Sequence, residues 1–460
     1  MTIAQFKIFI ISFVYFTGGL LFSVKGQESW PLNFLPGLAQ SSILNPAVQN
    51  KTDKLVIGLP VVSGIHFDWD ANINLNSLSS NNFKTYDVGA FYNSIEKTGD
   101  GSFSGNISMF YASLKIDDWN FTISLSDRVN ATTKFDSDIV KLIRDGINNY
   151  YGANENVGSA KFDFLYYREL AFGFSKKIWK QMDVGIRPKI YFGKFYFETH
   201  NTNLLFETDT ENRELLLKPE GSFTLSAPVI YNSGADKNFI NFSANVLPGD
   251  YFFNLRNLGL AVDLGIVFRP NKHYEFSASV RDIGFIGFKH NTFNVDFTDP
   301  IRYNENNLYQ SVNFEESHYL EPREALKALG DSVSYIISVE NANIRTFTSI
   351  PVNINFSGKY NFSKTLSGGF SNQFFYLAEN SINQFSGFVH SSIKDKFEVA
   401  GSLTLYNFSK FLVGFGGSYS TSFSQIYFSS NNILGIFQAT TTKNLNLCFG
   451  INLLFTTKNY

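Results

Sequence analysis

Asn-Leu-Asn-Leu-Cys-Phe-Gly-Ile-Asn-Leu-Leu-Phe, residues 444–455, is the stretch from which the fold can be worked out. Side chains of a β-strand alternate between two faces, so the stretch separates into two sets. One face carries Leu445, Leu447, Phe449, Ile451, Leu453 and Phe455. The opposite face carries Asn444, Asn446, Gly450 and Asn452. Such a strand needs an apolar environment on one side, which a second sheet or a lipid bilayer can supply.

The same alternation recurs along the chain. Leu258, Leu260, Val262, Leu264, Ile266 and Phe268 face one way, while Gly259, Ala261, Asp263 and Gly265 face the other. The chain also contains 50 Phe and 23 Tyr, which suits the apolar band and aromatic girdles of a barrel in lipid. The sequence therefore predicts an all-β fold, a transmembrane antiparallel β-barrel, and the alternation alone counts about 16 strands.

The lengths of the connections predict which end of the barrel faces the periplasm. Short connections fall near residues 117, 177–181, 270–273, 363 and 394–396. The two longest, residues 129–158 and 287–349, fall together at the opposite end, as outer loops of such barrels do. Each long loop carries a short predicted helix, around residues 139–143 and 322–330. These helices are either lids over the lumen or solvent-facing elements of their loops.

The first 26 residues have the layout of a secretory signal peptide. Lys7 precedes an apolar stretch from Ile8 to Phe22, and Val24 and Gly26 are small residues before the predicted cleavage point. The alternative is a membrane anchor on a soluble domain, but the stretch is short for a spanning helix. Residues 1–26 are therefore predicted to be removed, and the barrel is expected in the bacterial outer membrane, in contact with its lipid.

Residues 27–53 precede the first predicted strand and have neither strand nor helix periodicity. Their apolar side chains would form an exposed patch on a free tail, and their prolines and glycine fix turns that a compact plug needs. We predict a hatch inside the lumen of a barrel formed by residues 54–460. The candidate hatch residues are Trp30, Phe34, Pro36, Gly37, Asn45, Pro46 and Ala47. The alternative is a disordered tail that recruits a periplasmic partner.

Two further sets of residues are candidates for specific roles. The predicted polar cluster of the lumen consists of Arg168, Arg187, Lys189, Asp263, Glu275 and Arg281, whose simplest role is to pair with one another. Gly450, Leu453 and Phe455 resemble the C-terminal signal that the barrel assembly machinery reads, which makes that machinery an expected partner. Cys448 stands where the signal usually has a polar residue, and five residues follow Phe455.

Several classes of function find no support in the sequence. The six histidines lack the spacing of metal ligands, and neither a phosphate-binding loop nor a nucleophile elbow is present. The net charge of −2 and the absence of a basic cluster argue against nucleic acid as a partner. We therefore predict no enzymatic activity and no cofactor. Cys448 is the only cysteine, so an intramolecular disulfide cannot form.

The chain resembles a family of uncharacterised Bacteroidetes outer-membrane proteins, over nearly the whole mature length. The resemblance rests on the segments 35–38, 45–47, 146–148, 277–284 and 450–452, which read Leu-Pro-Gly-Leu, Asn-Pro-Ala, Gly-Ile-Asn, Ser-Ala-Ser-Val-Arg-Asp-Ile-Gly and Gly-Ile-Asn. That family is similar to the FadL-type fatty-acid channels and to PorV and PorQ of the type IX secretion system. The resemblance implies an N-terminal hatch and lowers the expected strand count to 14, within a range of 12 to 16.

Two hypotheses of different class follow from the barrel and the hatch. The first is a channel or carrier for small hydrophobic molecules. The second is a non-transporting, PorV-like partner or scaffold that docks another envelope protein in a secretion or assembly machine. The sequence alone separates them poorly, because both need the same barrel.

Overall fold

The computed structural model describes most of the barrel and the segment that precedes it. The described residues are 32, 34–49, 54–72, 93, 98–139, 155–209, 214–227, 230–233, 238–241, 252–297, 301–304, 337–342, 344–377, 380–393, 396–438 and 442–456. The predicted signal peptide, Trp30 and the predicted helix at 322–330 lie outside them. In this part of the chain, no helix is long and apolar enough to cross a membrane.

The described residues are mainly strands. In the first half of the chain the strands are β1 (Lys54–Gly58), β2 (Ile65–Ala71), β3 (Thr98–Ile116), β4 (Trp119–Asp136), β5 (Glu155–Trp179), β6 (Met182–Asp209), β7 (Glu214–Ser226), β8 (Ile230–Ser233) and β9 (Asn238–Asn241). In the middle they are β10 (Leu258–Phe268), β11 (Tyr274–Phe288), β12 (Thr292–Phe297), β13 (Ile301–Asn304), β14 (Ile337–Ala342), β15 (Thr346–Ser349) and β16 (Val352–Asn361). The last are β17 (Leu366–Leu377), β18 (Asn380–Ile393), β19 (Phe397–Tyr406), β20 (Lys410–Ser420), β21 (Ser424–Ser430) and β22 (Asn444–Thr456). Two short helices are α1 (Ser41–Leu44) and α2 (Ile433–Phe437).

Apart from β8 and β9, which pair with each other in a separate two-stranded sheet, the strands close into an antiparallel barrel of 14 strands, as predicted. Several barrel strands are interrupted, so that separate segments share one position in the wall. β1 and β2 both pair with β3 and β22, β7 and β10 both pair with β6, and β15 and β16 both pair with β11. The count of 16 from the alternation alone is too high. β22 pairs with β21 on one side and with β1 and β2 on the other, which closes the barrel.

The alternation predicted from the sequence is confirmed in the wall. Along β10, Leu264 is 45% exposed on the outer face, while the adjacent Asp263 is fully buried on the inner face. β22 shows the same division, since Phe449 and Phe455 are exposed whereas Asn446 is buried. Apolar side chains therefore cover the outside of the barrel and polar side chains line its lumen, which is the arrangement of a barrel in lipid.

The two loops predicted to be longest are shorter than predicted. β4 continues to Asp136 and β5 begins at Glu155, so most of the predicted loop at 129–158 is strand or lies outside the described residues. The region 287–349 contains the strands β12 to β15. The cause is that Ala131 is the only apolar residue between Asn130 and Lys134, so the alternation in this stretch is too weak to indicate a strand. Residues 137–139 are helical, at the start of the helix predicted around residue 139.

Candidate functional site

The N-terminal segment, residues 34–49, crosses the lumen from one wall to the other. Its first half packs against the inner face of β18 to β22. Phe34 is 2% exposed and stacks on Phe388 of β18 with 4.0 Å between the ring centroids. The apolar cluster around this pair consists of Leu32, Leu35, Leu38, Leu44, Ala400, Tyr427 and Cys448. Burial of these side chains is the main apolar contribution that holds the segment in place.

Hydrogen bonds tie the first half of the segment to the same wall. The Gly37 amide donates to Glu398 Oε2 at 3.0 Å, and Gln425 Nε2 donates to the Gly37 carbonyl at 3.1 Å. Gln40 Nε2 donates to Asn452 Oδ1 of β22 at 2.6 Å, and Asn452 Nδ2 donates back to Gln40 Oε1 at 2.9 Å. These bonds satisfy the side-chain amides of Gln40, Gln425 and Asn452, which would otherwise be buried without partners.

The second half of the segment contacts the opposite wall, formed by β6, β10 and β11. Asn45 Nδ2 lies 3.3 Å from the carbonyl oxygens of both Ile266 and Ala278, and its Oδ1 accepts the Ala47 amide at 2.9 Å. That last bond is the local turn that Asn side chains form with the amide two residues on. Ser279 Oγ donates to the Leu44 carbonyl at 3.0 Å.

Two glycines of the wall make room for this half. Gly265 of β10 lies against Asn45 and Pro46, and a Cβ at this position would overlap the Asn45 side chain. Gly185 of β6 lies against the Pro46 backbone in the same way. The Asn-Pro-Ala triplet at residues 45–47 therefore matches the shape of this wall. The side-chain amide of Asn45 bridges two strands, and the following residues pack into a groove that only glycines leave open.

The seven candidate hatch residues differ in their surroundings. Phe34, Asn45, Pro46 and Ala47 are buried, Pro36 is half-buried and Gly37 is exposed although its amide is hydrogen-bonded. Trp30 lies outside the described residues.

An ionic network lies on the same wall as the second half of the segment. Its members are Arg128 of β4, Glu169 of β5, Arg187 and Lys189 of β6, Asp263 of β10 and Asp282 of β11. Glu169 receives Arg187 Nη2 at 3.0 Å and Arg128 Nε at 3.1 Å. Lys189 Nζ lies 2.8 Å from Asp263 Oδ2 and 2.6 Å from Asp282 Oδ1. Three cations and three carboxylates thus neutralise one another in a buried setting.

The network contacts the N-terminal segment directly. Arg187 Nη1 donates to the Ile43 carbonyl at 3.2 Å, while its Nη2 donates to Ser124 Oγ and Glu169. One guanidinium therefore joins the segment to the charged wall, with the planar donor geometry that distinguishes Arg from Lys.

The structure brings together only half of the predicted polar cluster. Arg187, Lys189 and Asp263 belong to the network, and Arg281 is buried on β11 next to it. Glu275 lies apart from the network, near the turn between β10 and β11, where it pairs with Lys359 at 2.6 Å and with Arg269 at 2.7 Å.

Arg168 was predicted to face the lumen, and this is wrong. It lies on the opposite face of β5 from Glu169 and holds Asp127 through two bonds of 2.7 Å. The cause is the alternation itself, since adjacent residues of a regular strand cannot face the same side.

Sequence reasoning missed Arg128, Glu169 and Asp282. Asp282 has a φ of 62° at the point where the pairing of β10 with β11 shifts, between Val262 and Leu264. This bulge turns both Arg281 and Asp282 toward the lumen. The only signal in the sequence was Arg-Asp followed by Ile-Gly, which does not by itself reveal a bulge.

The candidate assembly residues lie on the closing strand. Leu453 pairs with Ile57 and Phe455 with Leu55, so both lie at the seam between the last and the first strand. Gly450 faces inward against Tyr427 and the Ser63 carbonyl, where a Cβ would not fit. Within the described ranges, no three His, Cys, Asp or Glu residues are placed to hold a metal ion.

The chain belongs to the Family of unknown function (DUF5723), whose model matches residues 46–431. No curated protein matches the sequence. Among solved structures, the chain is similar to the Ralstonia pickettii toluene transporter TbuX, with 9% identity over 92% of this chain and 95% of that chain and a TM-score of 0.46. It is also similar to a Pseudomonas aeruginosa FadL homologue, with 10% identity over 95% and 99% of the two chains and a TM-score of 0.43. The Pseudomonas putida toluene transporter TodX matches with 8% identity over 94% and 98%, and a TM-score of 0.39.

Proposed function

We propose that this member of the family is a bacterial outer-membrane channel for small hydrophobic molecules, and that the N-terminal segment is the hatch that closes it. The observation that carries the proposal is the position of the segment, which contacts opposite walls of the lumen through apolar packing and hydrogen bonds alone. Contacts of this kind are reversible, so the segment can leave the lumen without any change to the barrel. Residues 1–26 are taken as the signal peptide that directs the chain to the outer membrane.

Apolar side chains on the outer side of the segment support the choice of substrate. Tyr196 stacks on Phe288 with 4.9 Å between ring centroids, and Tyr167 meets Tyr191 edge to face at 5.0 Å. With Ile286 and Ile350 these side chains form one buried cluster. Such a layer favours molecules with an apolar body over hydrated ions.

A chain without residues 28–50 tests the proposal. It is expected to assemble as a heat-modifiable barrel and to conduct ions in planar bilayers, whereas the intact chain is expected to stay nearly closed. Equal, low conductance of both chains, with both correctly assembled, would contradict the hatch. Cleavage of the segment by a protease in the folded, detergent-solubilised chain would also contradict it.

One observation favours the second candidate function, a non-transporting partner in an envelope secretion or assembly machine. The charged residues of the ionic network beside the segment pair with one another and help to fill the lumen. A scaffold does not need an open lumen, so a filled one is compatible with that role. Affinity purification from detergent-extracted outer membranes distinguishes the two, because a scaffold is expected to retain a stoichiometric envelope protein. The barrel assembly machinery is a further expected partner, and it would be retained only during assembly.

A further inference from the structure

Lysines and tryptophans come together on the outer surface of the barrel, where β5 ends and turns into β6. Residues 176–180 read Lys-Lys-Ile-Trp-Lys, and all five are exposed. Trp119, at the start of β4, lies beside them because it pairs with Lys176 in the register of β4 with β5. Trp119 and residues 176–180 are called the basic–aromatic patch below. The patch lies at the short-turn end of the barrel, which the sequence predicts to face the periplasm.

The patch adjoins the apolar outer surface of the barrel. Trp119 stacks on Phe121 with 6.0 Å between ring centroids, and Phe121 meets Phe174 edge to face at 6.1 Å. All three rings are exposed on the outer face. Lys176 is two residues beyond Phe174 on the same face of β5, so it lies where the apolar surface ends. Lipid headgroups meet a membrane barrel at this level, and Trp and Lys side chains are suited to it.

Lys176 is held on this outer surface by an aromatic ring. Its Nζ lies 4.6 Å from the centroid of the Trp119 ring. A cation over an aromatic face keeps its full charge, and Lys176 remains exposed, so an anion can reach it from the lipid side.

The three lysines of the patch have no counter-charge in the part of the chain that the structure describes. Lys176, Lys177 and Lys180 form no ion pair there. The neighbouring turn differs, since its Arg269 pairs with Glu275 at 2.7 Å. The charge of the patch is therefore available to a ligand, whereas the charge of Arg269 is already neutralised.

Two aspartates lie close to the patch and reduce its positive charge without cancelling it. Asp117 and Asp118 form the exposed turn before Trp119, and the Asp118 carbonyl accepts the Lys177 amide at 3.0 Å. Their carboxylates lie more than 4 Å from the ammonium groups of the patch. Three lysines against two aspartates leave a net positive surface.

We infer that the basic–aromatic patch binds the headgroup of an anionic phospholipid. The lysines attract the negative charge, while the two tryptophans and Ile178 contact the part of the lipid between headgroup and acyl chains. Phe121 and Phe174 continue from the patch along the barrel wall, so the acyl chains of the same lipid meet an apolar surface. An acidic protein would have no use for this continuation. The inference goes beyond the proposed function, because it concerns the outer surface and holds for a channel and for a scaffold alike.

Tryptophan fluorescence tests the inference, because Trp119 and Trp179 lie within the patch. The chain has four tryptophans; Trp69 is buried and Trp30 lies outside the described residues, so a reporter chain carries Trp30→Phe and Trp69→Phe. The reporter chain is placed in phosphatidylcholine vesicles, in which either phosphatidylcholine or phosphatidylglycerol with brominated acyl chains replaces part of the lipid. Bromine quenches only nearby tryptophans, so a comparison of the two quenching curves gives the relative affinity of the patch for the two headgroups.

The anionic lipid is expected to quench more strongly at every mole fraction. Each lysine at a lipid surface favours an anionic lipid by about fivefold, and the two aspartates oppose part of this, so a preference of roughly five- to tenfold is expected at low ionic strength. The preference is expected to shrink in about 1 M salt, which screens exposed charges.

A matched pair of double variants of the reporter chain locates the site. Lys176→Gln with Lys180→Gln removes two charges from the patch, and the preference is expected to fall to about twofold or less. Lys364→Gln with Lys396→Gln removes two exposed charges from other turns at the same end, and the preference is expected to stay. Heat-modifiability on gels confirms that both variants are folded.

Two results would overturn the inference. The first is equal quenching by the two brominated lipids in the folded reporter chain. The second is an equal loss of preference in both double variants, because the attraction would then come from the total charge of this end of the barrel and the patch would have no part of its own.

Discussion

Phe34→Ala is the perturbation that weakens the docking of the N-terminal segment most directly. Phe34 is 2% exposed and stacked on Phe388, so removal of the ring leaves a cavity inside the lumen. Truncation of a buried Phe to Ala typically costs about 3–5 kcal/mol. When the segment is released, the Phe34 ring is in water, so its removal costs little in that state. The cost therefore applies to the docked state alone. Since about 1.4 kcal/mol is a factor of ten, the released fraction is expected to rise by about 10²- to 10⁴-fold.

Cys448 provides the assay. It is the only cysteine of the chain, it is buried in the same cluster as Phe34, and release of the segment uncovers it. In purified protein, the rate at which a polar maleimide labels Cys448 is therefore expected to rise in proportion to the released fraction, as long as labelling is slow relative to docking. Mass spectrometry at successive times gives the rate.

Phe385→Ala is the matched control. Phe385 lies on β18 with Phe388 but faces outward and is 45% exposed, so its truncation is expected to leave the labelling rate unchanged. Equal rates in Phe34→Ala and the unaltered chain, with both barrels intact, would refute the reasoning that this ring holds the segment in the lumen.

Three further predictions concern the wall. Leu264→Arg is expected to reduce the free energy of unfolding by about 2–4 kcal/mol, measured by urea titration in lipid vesicles, if this outward residue lies near the middle of the bilayer; a loss near zero would mean that it does not. Lys189→Met leaves carboxylates unpaired and is expected to lower the free energy of unfolding by about 3–5 kcal/mol in the same titration. Addition of Asp263→Asn is expected to restore part of that loss. A double variant less stable than Lys189→Met would contradict the pairing. Gly265→Ala adds a Cβ where Asn45 lies and is expected to raise ion conductance, while Gly387→Ala, whose Cβ meets no atom within 4 Å, is expected to leave conductance unchanged.

The barrel could be predicted from the sequence because period-two alternation is a local property. The faces of β22 follow from residues 444–455 alone, and the turn after Ile116 follows from two adjacent aspartates. The network could not be predicted in the same way. Lys189 and Asp282 are 93 residues apart along the chain, and their contact depends on the pairing register of β6, β10 and β11 together with a bulge at Asp282. Register and bulges depend on contacts between strands, which a single sequence pattern does not contain.

The two halves of the N-terminal segment bury different amounts of apolar surface, and in the proposed channel this difference would bear on how the hatch is released. The half around Phe34 buries apolar side chains, whose exposure to water is costly. The half around Asn45 buries fewer apolar side chains and is held mainly by hydrogen bonds, and water can replace each of these at a net cost of about 0.5–1.5 kcal/mol. Separation is therefore cheaper at the wall of β6, β10 and β11, where Gly265 and Gly185 leave a groove. A solute that reaches this side meets the weaker half of the segment first.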